Sequence, residues 1–74
     1  MNIKNRIIDT MKSSFSDNKI DENSNSDNTE NWDSINFLLL IVKLENDFNI
    51  KFQPDEISEM TDYNKIEKYV KSKI

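Results

Sequence analysis

The sequence predicts an all-α fold, a small four-helix bundle with three longer helices, one short third helix and a long loop between helices 1 and 2. Apolar residues recur at spacings of three and four, as on the buried face of a helix. Residues that favour helix starts stand just before these repeats, and there is no convincing strand alternation. The 74 residues leave room for one domain, residues 1–74, with one modest core.

The first helix and the loop after it differ sharply in composition. The apolar residues at helical spacing are Ile3, Ile7, Ile8, Met11 and Phe15. They predict an amphipathic helix over residues 2–15, with Met11 in the core. Residues 16–31 are mostly Ser, Asn, Asp and Glu, which favour turns. We expect Ile20, the one apolar residue of this loop, to anchor it to the core.

The second helix is more apolar than burial of one face requires. It is predicted to begin at Asp33 as N-cap and to end near Phe48 or Asn49. One face, expected to be core, contains Phe37, Leu40, Ile41, Leu44 and Phe48. A second series, Ile35, Leu39 and Val42, lies roughly opposite, with Leu38 between the two. This series is either an exposed docking surface or is buried by the third helix.

The remaining chain predicts two further helices. Pro54 suits the first turn of a short helix that continues to about Met60, a core residue. Residues 49–53, just before it, could be locally extended. Asp62 is the predicted N-cap of a fourth helix. The residues expected to be buried by this helix are Tyr63, Ile66, Tyr69, Val70 and, at its end, Ile74.

Composition excludes several classes of function. The net charge of -4 repels phosphate backbones, so nucleic acid is not an expected partner. The chain has no Cys, His or Gly. It therefore lacks thiol nucleophiles, imidazole bases, Cys and His zinc ligands and glycine-rich phosphate loops. The longest apolar run, residues 37–42, is too short to cross a bilayer and no signal-peptide stretch is present, so we expect a cytoplasmic protein without membrane insertion.

Ser34 is the residue most suited to chemistry. It follows the cap Asp33, at the end of the polar loop and the start of the most apolar helix, so its hydroxyl should be exposed. A helix N-terminus offers free amides and a positive potential, which favour an attached phosphodiester. The alternative is that Asp33 and Ser34 merely start a helix.

The acidic loop partly matches a calcium-binding pattern. Asp21, Asn23 and Asn25 occupy the spacing of the first three ligands of an EF-hand loop. Ser26 replaces the required glycine, and Trp32 stands where the bidentate Glu should be. We therefore predict no metal site. Trp32 is expected to be a packing residue whose place beside Ser34 could also help a partner recognise the site.

Three segments together resemble acyl carrier proteins. They are Asn-Trp-Asp-Ser-Ile at 31–35, Leu-Glu-Asn-Asp-Phe-Asn-Ile-Lys-Phe at 44–52, and Asp-Glu-Ile at 55–57. Such proteins have an Asp-Ser-Leu signature at the start of the second helix, an acidic stretch ending in Phe near its end, and an extended link to a short acidic helix. The resemblance is most specific over residues 32–60. Ile35 replaces the signature Leu, and Asn31 or Trp32 stands where a Gly is often found.

The resemblance implies a role for Ser34 as the attachment site of 4′-phosphopantetheine, which a phosphopantetheinyl transferase takes from coenzyme A. Asp33 is then the helix cap beside the site. The arm would hold an acyl or aminoacyl group as a thioester, loaded by a ligase and passed to an acyltransferase or synthase. The chain would be a monomer without catalytic residues of its own.

The partner-binding face that this implies is Ile35, Asn36, Leu39 and Val42. Asn36 and Leu39 stand where the family often has acidic side chains, so the identity of the partners stays open.

Two other classes of function remain as alternatives. One is an unmodified helical interaction domain that uses the Ile35, Leu39 and Val42 face. The other, an enzyme that uses carboxylates alone, is disfavoured because no enclosed carboxylate pair is predicted. Within the carrier class the cargo stays open between fatty acyl, short acyl, polyketide and aminoacyl groups. The absence of Ala and Gly suggests bulky packing with little room for a long chain.

Overall fold

Four helices account for the regular structure in a computed structural model that describes residues 2–74. They are α1 (Ile3–Phe15), α2 (Ser34–Phe48), α3 (Pro54–Glu59) and α4 (Tyr63–Ser72). The predicted all-α class, with three longer helices and a short third one, is confirmed. None of the described helices has both the length and the apolar character needed to span a membrane.

Each of the three longer helices starts after an N-cap residue whose side chain binds the first turn. Asn2, Asp33 and Asp62 each accept a hydrogen bond from the backbone N–H three residues later, at 3.2, 2.8 and 2.8 Å. These contacts satisfy amides that have no partner within the helix. The N-caps predicted at Asp33 and Asp62 are confirmed.

Two helices end without glycine. Ser16 after α1 and Asn49 after α2 have left-handed backbone conformations, with φ of 51° and 56°. The backbone N–H of each residue donates a hydrogen bond to the last turn of its helix. Ser16 donates to the Lys12 carbonyl and Asn49 to the Glu45 carbonyl. Asn tolerates this conformation better than most residues, which suits a chain with no Gly.

The core lies between α1, α2 and α4, with α1 packed along α2 and touching α4. Its buried apolar residues are Ile7, Met11, Phe15, Ile20, Leu40, Ile41, Leu44, Ile50, Phe52, Met60, Tyr63, Ile66 and Val70. The core positions predicted for Met11 and Met60 are confirmed. Ile20 is also buried, which confirms the predicted anchor of the long loop.

Two of the predicted core residues on α2 lie at its margin. Phe37 and Phe48 are half-buried rather than enclosed. Phe37 stacks on Trp32, with ring centroids 6.1 Å apart. Phe48 lies beneath the guanidinium of Arg6. Both rings therefore pack against the core but are not fully buried in it.

Two residues predicted to be buried by α4 are not enclosed. Tyr69 is half-buried because its hydroxyl points outward and donates to Glu59 Oε2 at 2.8 Å. Ile74 is 59% exposed, since α4 ends at Ser72 and the chain leaves the core after the C-cap Lys73. The prediction that Ile74 is buried is wrong.

The long loop is fastened to the link between α3 and α4. The Ser26 N–H donates to the Thr61 carbonyl at 2.9 Å, and the Tyr63 N–H donates to the Ser24 carbonyl at 3.0 Å. Ser24 is buried, and its hydroxyl accepts from the Asp21 N–H. These contacts, with Ile20, hold the polar segment against the domain although its composition favours irregular backbone.

The segment between α2 and α3 alternates in burial. Ile50 and Phe52 are buried, whereas Lys51 and Gln53 are exposed. Glu45 Oε2 accepts the Phe52 N–H at 2.9 Å. The segment thus connects α2 to α3 while placing two apolar side chains in the core.

Candidate functional site

Ser34 is the first residue of α2, and its side chain is exposed. Asp33 before it is also exposed and caps the helix through the Asn36 N–H, at 2.8 Å. The first-turn amides point toward this end of the helix, which carries its positive potential. The sequence predicted both the helix start and the exposure of this serine.

Asn36 ties the preceding loop to the start of α2. Its side-chain amide donates to the Asn31 carbonyl at 3.1 Å and to Asp33 Oδ2 at 3.4 Å. These bonds fix the backbone on both sides of Ser34. In the described chain Asn36 therefore has a local structural role, whereas its assignment to a partner-binding face stays a prediction.

An aromatic stack supports the same loop. Trp32 lies between Phe15 and Phe37, with ring centroids 4.8 Å from Phe15 and 6.1 Å from Phe37 and interplanar angles of 22° and 18°. Asn31 Nδ2 donates to the Phe15 carbonyl at 2.7 Å, joining the loop to the end of α1. Trp32 thus packs as predicted, and it holds the backbone before Ser34 against a fully buried ring.

A surface groove of about 250 Å³ opens beside Ser34, between the start of α2 and α3. Its apolar lining comes from Trp32, Phe37, Ile57 and Met60. Its polar lining comes from Asp33, Ser34, Ser58 and Thr61. Sequence reasoning missed this groove, because its walls come from segments far apart in the chain.

The α3 wall of the groove is held by polar contacts at its ends. Glu56 accepts from the Gln53 N–H at 2.7 Å and lies 2.9 Å from Lys73 Nζ. The Gln53 hydrogen bond, followed by the Lys73 contact, lowers the pKa of Glu56. At the other end Glu59 accepts from the Tyr69 hydroxyl, and this bond raises the pKa of Tyr69. Together they join α3 to its own N-cap and to α4.

An apolar stripe, defined here as Ile35, Leu38, Leu39 and Val42, runs along the solvent side of α2. Its residues are 78%, 57%, 43% and 52% exposed. Residues 34–42 include no Asp, Glu, Lys or Arg. Of the two sequence interpretations, burial of Leu39 and Val42 under α3 is wrong. Leu38, placed between the two faces by the sequence, belongs to the exposed one.

The calcium-like residues of the long loop serve as turn caps. Asp21 Oδ1 accepts the Asn23 N–H at 2.8 Å. Asn25 Oδ1 accepts the N–H groups of Asp27 and Asn28, at 2.8 and 2.9 Å. Their oxygens are thus used by the backbone of the loop itself. Within residues 2–74, no group of three or more His, Cys, Asp or Glu side chains is placed to hold a metal ion.

No protein-family model, curated protein or solved structure matches this chain.

Proposed function

We propose that this chain is an acyl carrier protein, a small four-helix bundle that holds acyl or aminoacyl intermediates on a 4′-phosphopantetheine arm attached to Ser34. The observation that carries the proposal is the exposure of Ser34 at the first residue of α2, beside the groove and one residue before the apolar stripe. A modifying enzyme can approach a residue in this position without unfolding any helix.

The attachment needs no catalytic group on the chain. In the transferase, Ser34 Oγ attacks the phosphorus of coenzyme A that bears pantetheine, forming a new P–O bond. The bond from that phosphorus to the adenosine bisphosphate breaks, and the hydroxyl proton passes to a base of the transferase. The chain lacks Cys, so the thiol that forms a thioester comes from the arm.

The residues around Ser34 suit a phosphodiester. The positive end of α2 favours the negative charge placed there. The Asp33 carboxylate would oppose that charge, but it accepts hydrogen bonds from Asn36. The aromatic stack and the Asn36 bonds fix the backbone, so modification requires little reordering of the chain.

The proposal includes a cytoplasmic monomer served by three kinds of enzyme. A phosphopantetheinyl transferase adds the arm, a ligase loads the acyl or aminoacyl group, and an acyltransferase or synthase removes it. The exposed stripe supports docking of such enzymes, because an apolar surface beside the attachment site can be covered briefly by a partner.

Intact mass measurement tests the proposal directly. Incubation with coenzyme A and a broad-specificity phosphopantetheinyl transferase should add the mass of one phosphopantetheine, located on Ser34 by fragmentation. Ser34→Ala should stay unmodified. Ser72→Ala, which alters another exposed serine, should be modified like the wild type. Modification of a different serine, with none on Ser34, would reject the assignment.

A second candidate, an unmodified helical interaction domain, is favoured by the exposed stripe alone. The stripe is an exposed apolar surface of four neighbouring side chains, and such patches mark interaction sites on monomers. A stable interface usually buries about 800 Å² and roughly 20–30 residues on each partner, so a stripe of four residues suits a transient contact. Intact mass of protein from its native host separates the candidates, since this one requires an unmodified chain.

A further inference from the structure

We propose that Asn36 is a positioning residue for the modification of Ser34. It acts through a chain of side-chain amides that begins at the end of α1 and holds the backbone just before the serine. The role rests on the proposed function, because the reaction concerned is the transfer of the arm to Ser34. It differs from the partner-binding role that the sequence predicted for Asn36, because the contacts involved lie within this chain.

The chain of amides joins two helices through the loop before α2. Asn31 Nδ2 donates to the carbonyl of Phe15, the last residue of α1, at 2.7 Å. Asn36 Nδ2 donates to the Asn31 carbonyl at 3.1 Å and to Asp33 Oδ2 at 3.4 Å. The Asn31 carbonyl also accepts the Asp33 N–H at 2.9 Å. The segment 31–33 is therefore held by α1 on one side and by the first turn of α2 on the other.

An acidic residue cannot replace Asn36 in these contacts. Both acceptors are oxygens, and one belongs to the Asp33 carboxylate, so the side chain between them must donate. An ionised carboxylate only accepts, and at this distance it would repel Asp33. The acyl carrier family often has an acidic residue at this position. The amide is therefore a feature of the way this chain holds its serine.

Placement of the segment bears on the reaction because Ser34 follows it directly. A nucleophile must meet the phosphorus within a narrow range of distance and angle, and a displacement of about 1 Å can slow a reaction by about 10²-fold. Without the Asn36 side chain, the Asn36 N–H can still donate to Asp33 Oδ1, so α2 keeps its cap. Loss of the amide should thus loosen the segment while the helix stays formed.

Trp32 reports on this segment before any modification. It lies within the segment and is the one tryptophan of the chain. In unmodified Asn36→Ala, acrylamide should quench Trp32 fluorescence more strongly than in wild type, with an unchanged far-ultraviolet circular dichroism spectrum. Asn46→Ala is the control, since Asn46 is exposed on the same helix, about 18 Å from Ser34 at about 1.5 Å per residue. Equal quenching in Asn36→Ala and wild type would overturn the inference.

Single-turnover kinetics test the effect on transfer. Modification by the broad-specificity transferase is followed by intact mass over a range of transferase concentrations. Asn36→Ala should lower the maximal rate by about tenfold and change the half-saturating concentration by less than about twofold. Asn36→Asp should lower the maximal rate further, whereas Asn46→Asp, with the same charge on the same helix, should react like wild type. If Asn36→Ala raises only the half-saturating concentration, Asn36 is a docking contact and the inference is wrong.

Asn31→Ala tests the chain of amides beyond Asn36. It removes the donor to the Phe15 carbonyl but keeps the backbone carbonyl that Asn36 binds. Because either change releases the same segment, the double variant should slow transfer by less than the product of the two single effects. A slowing equal to that product would contradict the chain. This comparison needs no acidic variant, so it decides the matter even if Asn36→Asp does not fold.

Failure of this inference is distinguishable from failure of the proposed function. If wild type is modified on Ser34 and Asn36→Ala matches its maximal rate, the inference fails and the proposed function survives. If wild type gains no mass, the proposed function fails and the inference fails with it.

Discussion

The guanidinium carbon of Arg6 lies 4.2 Å from the centroid of the Phe48 ring. Arg6 Nη2 also lies 3.0 Å from Asp47 Oδ2 and donates to the Asp47 carbonyl at 2.9 Å. A charged side chain from α1 thus covers the last ring of α2. Phe48 is in contact with water at the rim of the core, and its burial depends on a surface residue.

This position predicts different costs for two phenylalanines. Phe15 is fully buried, so Phe15→Ala should cost about 3–5 kcal/mol and leave the domain largely unfolded. Phe48→Ala should cost only about 1–2 kcal/mol, because much of its ring remains near solvent. Urea unfolding measures both free energies. Equal costs would contradict the difference in burial.

Local sequence determines some of these features, and the packing of distant segments determines the others. Helix starts were predictable, because Asp33 and Asp62 act on amides three residues away. The partial exposure of Phe48 was not, because it depends on where Arg6 of another helix comes to lie. The groove beside Ser34 was missed for the same reason, since helical spacing does not say how α3 is placed against α2.

The Asp33 cap should contribute to stability through its carboxylate oxygens. Asp33→Ala leaves the Asn36 N–H without its acceptor and should cost about 1 kcal/mol in the free energy of unfolding. Asp33→Asn keeps an acceptor oxygen and should cost much less. Ser34→Ala, at an exposed helix start, should change stability by less than about 0.5 kcal/mol. Denaturant unfolding measures the free energy of unfolding of the three variants. An equal loss of that free energy in Asp33→Ala and Asp33→Asn would contradict the capping role.

Glu56 should make stability depend on pH in the acidic range. Its pKa in the folded protein lies below the usual value of 4.5, because of the Gln53 N–H and then Lys73. A lowered pKa means that its stabilising contribution is present above pH 4.5 and is lost as the pH falls through the folded value. Glu56→Gln should therefore lower the Tm at neutral pH, and the difference from wild type should shrink in acid.

Thermal melts from neutral pH down into the acidic range measure this effect. Glu30→Gln, an exposed residue in the long loop, serves as the control and should leave the curve unchanged. A Tm difference between Glu56→Gln and wild type that stays constant across the range would contradict the prediction.

The packed core, in which Phe15, Leu40 and Leu44 are fully buried, predicts no stabilisation by long acyl chains. Each buried methylene contributes about 0.8 kcal/mol, and each kcal/mol raises the Tm of a domain this size by about 4–8 °C. Enclosing a dodecanoyl chain would therefore raise the Tm by many degrees relative to acetyl. We expect the Tm of acetyl-, hexanoyl- and dodecanoyl-loaded protein to differ by less than about 2 °C. A steady rise with chain length would show that the core opens to shelter the cargo.

The apolar stripe is predicted to be the surface by which the loading ligase recognises this chain. Leu39 is 43% exposed, so Leu39→Glu should stay folded and change stability by less than about 1 kcal/mol. It should still be modified at Ser34 by the broad-specificity transferase. If its own ligase covers the stripe, the variant loses the binding free energy of burying a leucine in the complex, about 1.5–3 kcal/mol. Loading by that ligase should then slow by about tenfold or more.

The physical reason lies in the charge of α2 near Ser34. Residues 34–42 offer no charged group for electrostatic steering, so the partner must recognise this surface by apolar contact. Such a partner should load a carrier with an acidic second helix poorly. Ile74→Glu changes an exposed isoleucine at the other end of the chain and should be loaded at the wild-type rate. If Leu39→Glu is also loaded at that rate, the ligase does not contact Leu39. If circular dichroism shows Leu39→Glu to be unfolded, Leu39 belongs to the core and the docking surface loses its central residue.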